Sequence, residues 1–114
     1  MMKAGINPTI YGTGRHRRDY VYIDDAIEAL IKAVDNHPPT FCGIYNIGTG
    51  INYSVKSVMK IIGEELKVDI ETIYLPVKQD EPMETLAKCE KALTWLGWKS
   101  TISLREGIGK ILWT

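Results

Sequence analysis

The chain has 114 residues, 45% of them apolar, and its 14 basic and 14 acidic side chains cancel to a formal net charge of zero. That length suits one domain spanning residues 1–114 and leaves no room for a second independent core. Balanced charge argues against a general nucleic-acid or membrane-surface binder, and no apolar run approaches membrane-spanning length.

In chain order, Pro8 to Tyr11 is a short extended run closed by the turn Gly12-Thr13-Gly14. The basic tetrad Arg15-His16-Arg17-Arg18 follows, then Asp19. Tyr20-Val21-Tyr22-Ile23 has strand composition. Asp24 or Asp25 suits a helix N-cap, and Asp25 with Glu28 has the spacing of a capping box. Ile23, Ile27, Leu30, Ile31 and Val34 recur at helical spacing as one apolar stripe, which His37-Pro38-Pro39 ends. Residues 43–48 predict a short buried strand closed by a second Gly-Thr-Gly turn.

Ser54 suits the N-cap of a second helix whose buried face is Val55, Val58, Met59, Ile62 and Leu66. Ile70 to Leu75 predicts a strand ending at Pro76, and Val77 to Glu84 a polar surface loop. A third helix is expected from about Lys88 to Leu96, with Cys89, Ala92, Leu93 and Leu96 on one side and Gly97 as its C-terminal stop. Ser103-Leu104-Arg105-Glu106 is a capping box opening a fourth helix, with Leu104, Ile108, Ile111 and Leu112 inward. Strands alternating with helices indicate an α/β fold. The strands are few and short, so a sheet edge or a helix face is expected to stay uncovered.

Chemistry-bearing patterns are sparse. Cys42 and Cys89 leave a lone disulfide open, but with neither metal-ligand spacing nor an activating neighbour they read rather as small apolar residues of a reducing compartment. His16 and His37 lie far from each other and from both thiols, so no metal site is expected. The N-terminus has no apolar core of a signal peptide, which makes the cytoplasm the expected location. The basic tetrad lacks interleaved aromatic residues, so Arg15 and Arg17 read as extra charge on an exposed loop, not as a nucleic-acid site. Gly48-Thr49-Gly50 begins a dinucleotide fingerprint, but Tyr53 stands where its third glycine belongs, and a tight turn is the better reading.

Taken in order, Gly12-x-Gly14-x3-Arg18-Asp19-Tyr20, Asp24-Asp25-Ala26, Tyr45-Asn-Ile-Gly-Thr-Gly50, Glu81-Pro82-x3-Leu86-Ala87 and Leu96-Gly97-Trp98 resemble the NAD-dependent epimerase/dehydratase family of extended short-chain dehydrogenase/reductases. The likeness runs from about Pro8 to Gly107 and is nearest to UDP-glucose 4-epimerase-like proteins, with dTDP-glucose 4,6-dehydratases sharing most of it. It implies the C-terminal substrate-binding lobe, an α/β unit of about four helices with short strands, without the Rossmann cofactor half. In such enzymes the Arg of the Arg-Asp-Tyr motif binds the diphosphate of a sugar nucleotide, and here that is Arg18. A guanidinium presents a fixed fork of donors that matches phosphate oxygens. Asp19 is placed to hold the backbone or the Arg side chain.

The resemblance also implies a second phosphate contact at Lys78 and a ribose-side contact at Glu81. Lys78 stands where the family has Arg, so it either binds phosphate without the bidentate fork or is solvated. Lys88 replaces the family's usual Asp. Trp95 and Trp98 belong to the family's structural ending and are expected to pack, not to stack on a ligand.

The Gly-x-x-Gly-x-x-Gly cofactor turn is not in this sequence. The one Tyr-x-x-x-Lys spacing, Tyr74 to Lys78, is broken by Pro76, so no residue is assigned as catalytic. The family implies NAD for the whole enzyme and none for this chain alone. Expected partners are a UDP- or dTDP-sugar, a separate cofactor-binding half, and a second copy joined through an exposed sheet edge. The alternative is a non-catalytic protein-interaction module that keeps the lobe without the chemistry.

Overall fold

The computed structural model describes residues 2–36, 43–77 and 82–113. After a short 3-10 turn at Met2–Ala4, the elements are β1 (Thr9–Tyr11), β2 (Arg17–Asp19), α1 (Ile23–Asn36), β3 (Asn52–Ser54), α2 (Val55–Leu66), β4 (Ile73–Leu75), α3 (Glu90–Leu96) and α4 (Leu104–Leu112). The strands make two separate pairs. β1 runs parallel to β4 with Ile10 opposite Tyr74, and β2 runs antiparallel to β3 with Arg18 opposite Tyr53. Residues 83–85 extend the second pair: Arg17 donates its backbone N–H to Met83 at 2.8 Å, and Thr85 donates back to Arg17 at 3.0 Å.

Helix ends follow local chemistry. Ser54 Oγ accepts from the Ser57 N–H and starts α2, and Ser103 Oγ accepts from the Glu106 N–H and starts α4. Gly97 ends α3 in the left-handed region at φ 69°, where a side chain would be strained, and Lys67 ends α2 there as a non-glycine at φ 57°. Two predicted strands differ from the structure. The first lies at Arg17–Asp19, not Tyr20–Ile23, because β3 and residues 83–85 supply ladder partners for the former. Residues 43–47 carry no regular secondary structure, although exposure alternates along them, with Ile44 and Asn46 out and Tyr45 and Ile47 half-buried. The predicted strand 70–75 narrows to β4, and Pro76 follows it as expected.

The core sits between α1 and α3. Ala29, Ala92, Leu96 and Trp98 are buried there, with Val21, Ala33, Tyr45, Ile47 and Cys89 packed against them. Lys32 and Asn36 of α1 donate to the carbonyls of Gly97 and Leu96 at 3.0 and 3.1 Å, satisfying the C-terminal end of α3. Trp98 is 0% exposed and its Nε1–H donates to the Asp25 carbonyl at 2.9 Å. Trp95, by contrast, is half exposed.

Asp25 does not form the expected capping box. The helix starts at Ile23, and the Asp25 carboxylate, 1% exposed, accepts from the Thr101 N–H, the Thr101 hydroxyl and the Ile102 N–H at 3.0–3.1 Å. The α1 stripe forms but faces away from the core, because Asp25, Ala29 and Ala33 make the contact with the 89–102 segment. Leu93, expected on one side with Ala92 and Leu96, and Ile111, expected inward, are exposed as well. The described residues make a slab of 52 × 34 × 17 Å with a radius of gyration of 16.8 Å, against about 13 Å for a compact chain of this length. Among the described residues no helix is long and apolar enough to cross a membrane.

Candidate functional site

Asp19 organises the region that contains Arg18. Both lie on β2, a strand of charged residues kept extended by pairing on its two sides. Alternation along a strand sends neighbouring side chains to opposite faces, so Asp19 and Arg18 diverge. The Asp19 carboxylate accepts from the Thr49 N–H and hydroxyl at 2.8 and 2.7 Å, the Gly50 N–H at 2.9 Å and the Ala87 N–H at 3.2 Å. Burial pushes its pKa up, but the hydrogen bonds from Thr49, Gly50 and Ala87 outweigh it, and the net shift is downward.

The Gly-Thr-Gly turn is therefore organised around a protein carboxylate. Thr49 and Gly50 spend their N–H groups on Asp19, which agrees with a structural turn and not a phosphate cradle. Gly48 is required by proximity: a Cβ there would stand 2.5 Å from the Ala87 Cβ and 2.8 Å from Asp19 Oδ2. A cleft of about 340 Å³ opens beside this hub between Asp19, Asn46, Ile47, Thr85, Leu86 and Ala87.

Arg18 is half-buried, and its Nη1–H donates to the Arg17 carbonyl at 2.8 Å. Its charge faces Tyr20, whose pKa is raised by burial, with the guanidinium pulling in the opposite sense. Arg17 is exposed, as expected, but on a strand and not a loop. Its guanidinium donates to Asn52 Oδ1 at 2.9 Å and to the Asn52 carbonyl at 3.0 Å. Asn52 in turn donates to Glu84 Oε1 at 2.8 Å and to the Thr85 carbonyl at 3.2 Å. β2, β3 and residues 83–87 thus form one hydrogen-bonded patch.

Lys78 and Glu81 lie outside the described residues, as do Cys42 and His37. Tyr74 stands on β4 under the Lys56 ammonium, 5.6 Å from the ring centre, so it is not on a helix as a Tyr-x-x-x-Lys pair requires. Cys89 is half-buried; burial raises its pKa, and its thiol donates to the Gly48 carbonyl at 3.5 Å. Among the described residues no cluster of His, Cys, Asp or Glu could hold a metal ion. The sequence reading gave Asp19 a supporting part but missed Thr49 and Ala87 as its partners, and it missed the role of Asp25. Those partners lie 30 to 77 residues away, where no local pattern reports them.

A family model described as GDP-mannose 4,6 dehydratase matches residues 1–111. A UDP-glucose 4-epimerase of Mycolicibacterium smegmatis is 29% identical over 94% of this chain and 34% of its own length. The crystal structure of a UDP-glucose 4-epimerase from Thermotoga maritima with UDP-glucose superposes with a TM-score of 0.87. It is 32% identical, over 95% of this chain and 34% of that one. A UDP-glucuronic acid 4-epimerase of Bacillus cereus, solved with UDP-glucuronic acid and NAD, gives a TM-score of 0.88 at 28% identity, covering 94% of this chain and 34% of the other. The chain spans only 22–34% of the length of its sequence relatives and about a third of the solved chains it superposes on.

Proposed function

From the premise that this chain belongs to the NAD-dependent epimerase/dehydratase family, through its match to the GDP-mannose 4,6 dehydratase model, we propose that it is a UDP-sugar-binding portion that grips the nucleotide diphosphate through Arg18. The observation that carries this reading is the placement of Arg18. It stands on a strand paired on both sides, next to an Asp whose four hydrogen bonds fix the surrounding backbone. Binding an anion is cheaper when the cation is held in place beforehand, because less side-chain freedom is lost.

Lys78 and Glu81 are the further contacts in this proposal, on the diphosphate and the ribose side respectively. Arg18 supplies the fork, and Lys78 adds charge without it. The solved relatives hold UDP-sugars and, in the Bacillus cereus enzyme, NAD. By analogy the whole enzyme would use NAD for a hydride exchange at a sugar carbon. This chain alone is proposed to bind the sugar nucleotide and perform no turnover, since neither the cofactor turn nor a usable Tyr/Lys pair is in its sequence.

The test is an amide NMR titration of the labelled chain with UDP. Shifts at Arg18, Tyr20 and Tyr53 that vanish in Arg18→Ala support the proposal. A folded chain that ignores UDP and dTDP sinks it and favours the second reading, a protein-interaction module. That second reading draws on the exposed apolar face of α1.

A further inference from the structure

We propose that the cleft of about 600 Å³ between α2 and β4 is a second ligand site, and that it takes a small organic polyphosphate. It shares no residue with the cleft beside Asp19, and Arg18 does not line it. The inference stands apart from the diphosphate reading.

Lys56, Lys60 and Lys67 line this cleft at spacings of four and seven residues, which keep them on one side of α2 and its C-terminal end. Two carboxylates line it as well. Glu64 is held by Arg105 at 2.6 Å, which leaves Asp69 against three ammonium groups. Among the described residues none of the three lysines has a carboxylate within ion-pair distance. A chain with no net charge thus gathers a positive excess at one place, and such an excess in a cleft draws anions.

Local stability does not account for these lysines. Lys56 stands in the first turn of α2, where the helix dipole disfavours a cation. Lys60 repeats the charge one turn on, and like charges at that spacing repel. Lys67 suits the C-terminal dipole by its charge but not by its backbone, which takes the left-handed cap at φ 57° where glycine costs least. Side chains kept at a local cost point to a role beyond the fold.

The walls set the chemistry of the ligand. Val68 donates its N–H to the Gly63 carbonyl at 3.1 Å, and a Cβ at Gly63 would stand 2.6 Å from Ile70 Cδ1, so the glycine lets residues 68–70 fold back along α2. Ile10, 5% exposed, and Met59 give an apolar lining, and the half-exposed Tyr74 ring lies under the Lys56 ammonium. Inorganic phosphate would use the charge and leave the ring and the apolar wall bare. A flat apolar body joined to a run of phosphates uses both. The volume is that of a small-molecule pocket, and ammonium groups serve phosphate oxygens as point charges.

The experiment is an amide NMR titration of the labelled 114-residue chain at about 150 mM salt, with ATP as the probe and inorganic tripolyphosphate beside it. ATP should give saturable shifts at Lys60, Gly63, Lys67 and Tyr74 that persist in Arg18→Ala. Tripolyphosphate should bind there about fivefold more weakly or worse, because it has no ring to lay on Tyr74. Lys60→Gln with Lys67→Gly should weaken ATP by about tenfold or more, while moving the thermal midpoint by no more than about 3 °C. Lys60→Gln alone, at an exposed helix position, should weaken it by about threefold. Three results would overturn the proposal. One is the absence of saturable shifts along α2, or shifts that vanish in Arg18→Ala. Another is equal affinity for ATP and tripolyphosphate, the mark of a charged patch without a built site. The third is ATP affinity untouched by the lysine variants. A chain that binds ATP along α2 but shows no UDP response at Arg18, Tyr20 and Tyr53 supports this site and sinks the Arg18 reading, so the two failures are distinct.

Discussion

Two carboxylates hold this molecule together, and they do so for different ends. Asp25 is sealed between α1 and residues 101–102, with a tryptophan indole on its own carbonyl. Asp19 is half-buried, gathers a turn and the 87 backbone, and sits next to the arginine proposed for the ligand. One joins elements that have no assigned ligand contact. The other gives shape to the surface where a ligand is proposed. The contrast teaches that a hydrogen-bonded Asp is a measure of local order, and that its functional weight depends on which residue stands next to it.

The largest effect should come from Asp25→Ala, which strands donors in a dry corner and is expected to lower unfolding free energy by about 3–4 kcal/mol, with UDP binding by the folded fraction unchanged. Urea denaturation with a parallel UDP titration checks both halves of that statement. Asp19→Ala should cost less stability, about 2 kcal/mol, because Gly50 is exposed and its N–H regains water, yet it should weaken UDP binding by tenfold or more. Equal loss of binding in the two variants would dissolve the contrast. Arg18→Ala is expected to reduce UDP affinity by about tenfold, near 1.4 kcal/mol, with little change in the denaturation midpoint, and Arg18→Lys to fall between. Isothermal calorimetry separates the three.

Smaller effects sharpen the same contrast. Thr49→Ala removes the hydroxyl that donates to Asp19 and accepts from the Ile51 N–H, for about 1 kcal/mol by denaturant titration. The pH dependence is the mildest probe. The pKa of Asp19 is lowered in the folded state, so its contribution is present above the unfolded carboxylate value near 4. That contribution is lost as pH falls through the folded value. Wild type should therefore lose stability on acidification below about pH 4, and Asp19→Asn should show a shallower acid limb in a series of melts.

Much of the helical frame was legible in the sequence because its signals are local. Ser54, Ser103 and Gly97 each act within one turn of themselves, and each stands at the predicted boundary. The strands were less legible. Tyr20-Val21-Tyr22 has the composition of a strand, whereas Arg17-Arg18-Asp19 becomes one only because Asn52-Tyr53-Ser54 arrives to pair with it. Tertiary pairing overrides composition here. The α1 stripe was read correctly as a stripe, but periodicity cannot say which way a helix is turned. Small residues on its other side, Ala29 and Ala33, allow α3 to approach closely, and the large ones are left outside. At the proposed site, the role given to Arg18 rests on family resemblance. The hub around Asp19 was visible only in part, since its donors come from distant segments.

Cys89 turns one of these contacts into a clock. Its thiol is half-buried against the Gly48 carbonyl and has a raised pKa, so little of it is thiolate at neutral pH and alkylating agents should reach it slowly. Parting of α3 from the Gly-Thr-Gly turn frees the sulfur of the Gly48 contact and is expected to speed the reaction. A rise in the labelling rate at this sulfur in Asp19→Ala would therefore report the loosening of the hub, without a probe having to be introduced.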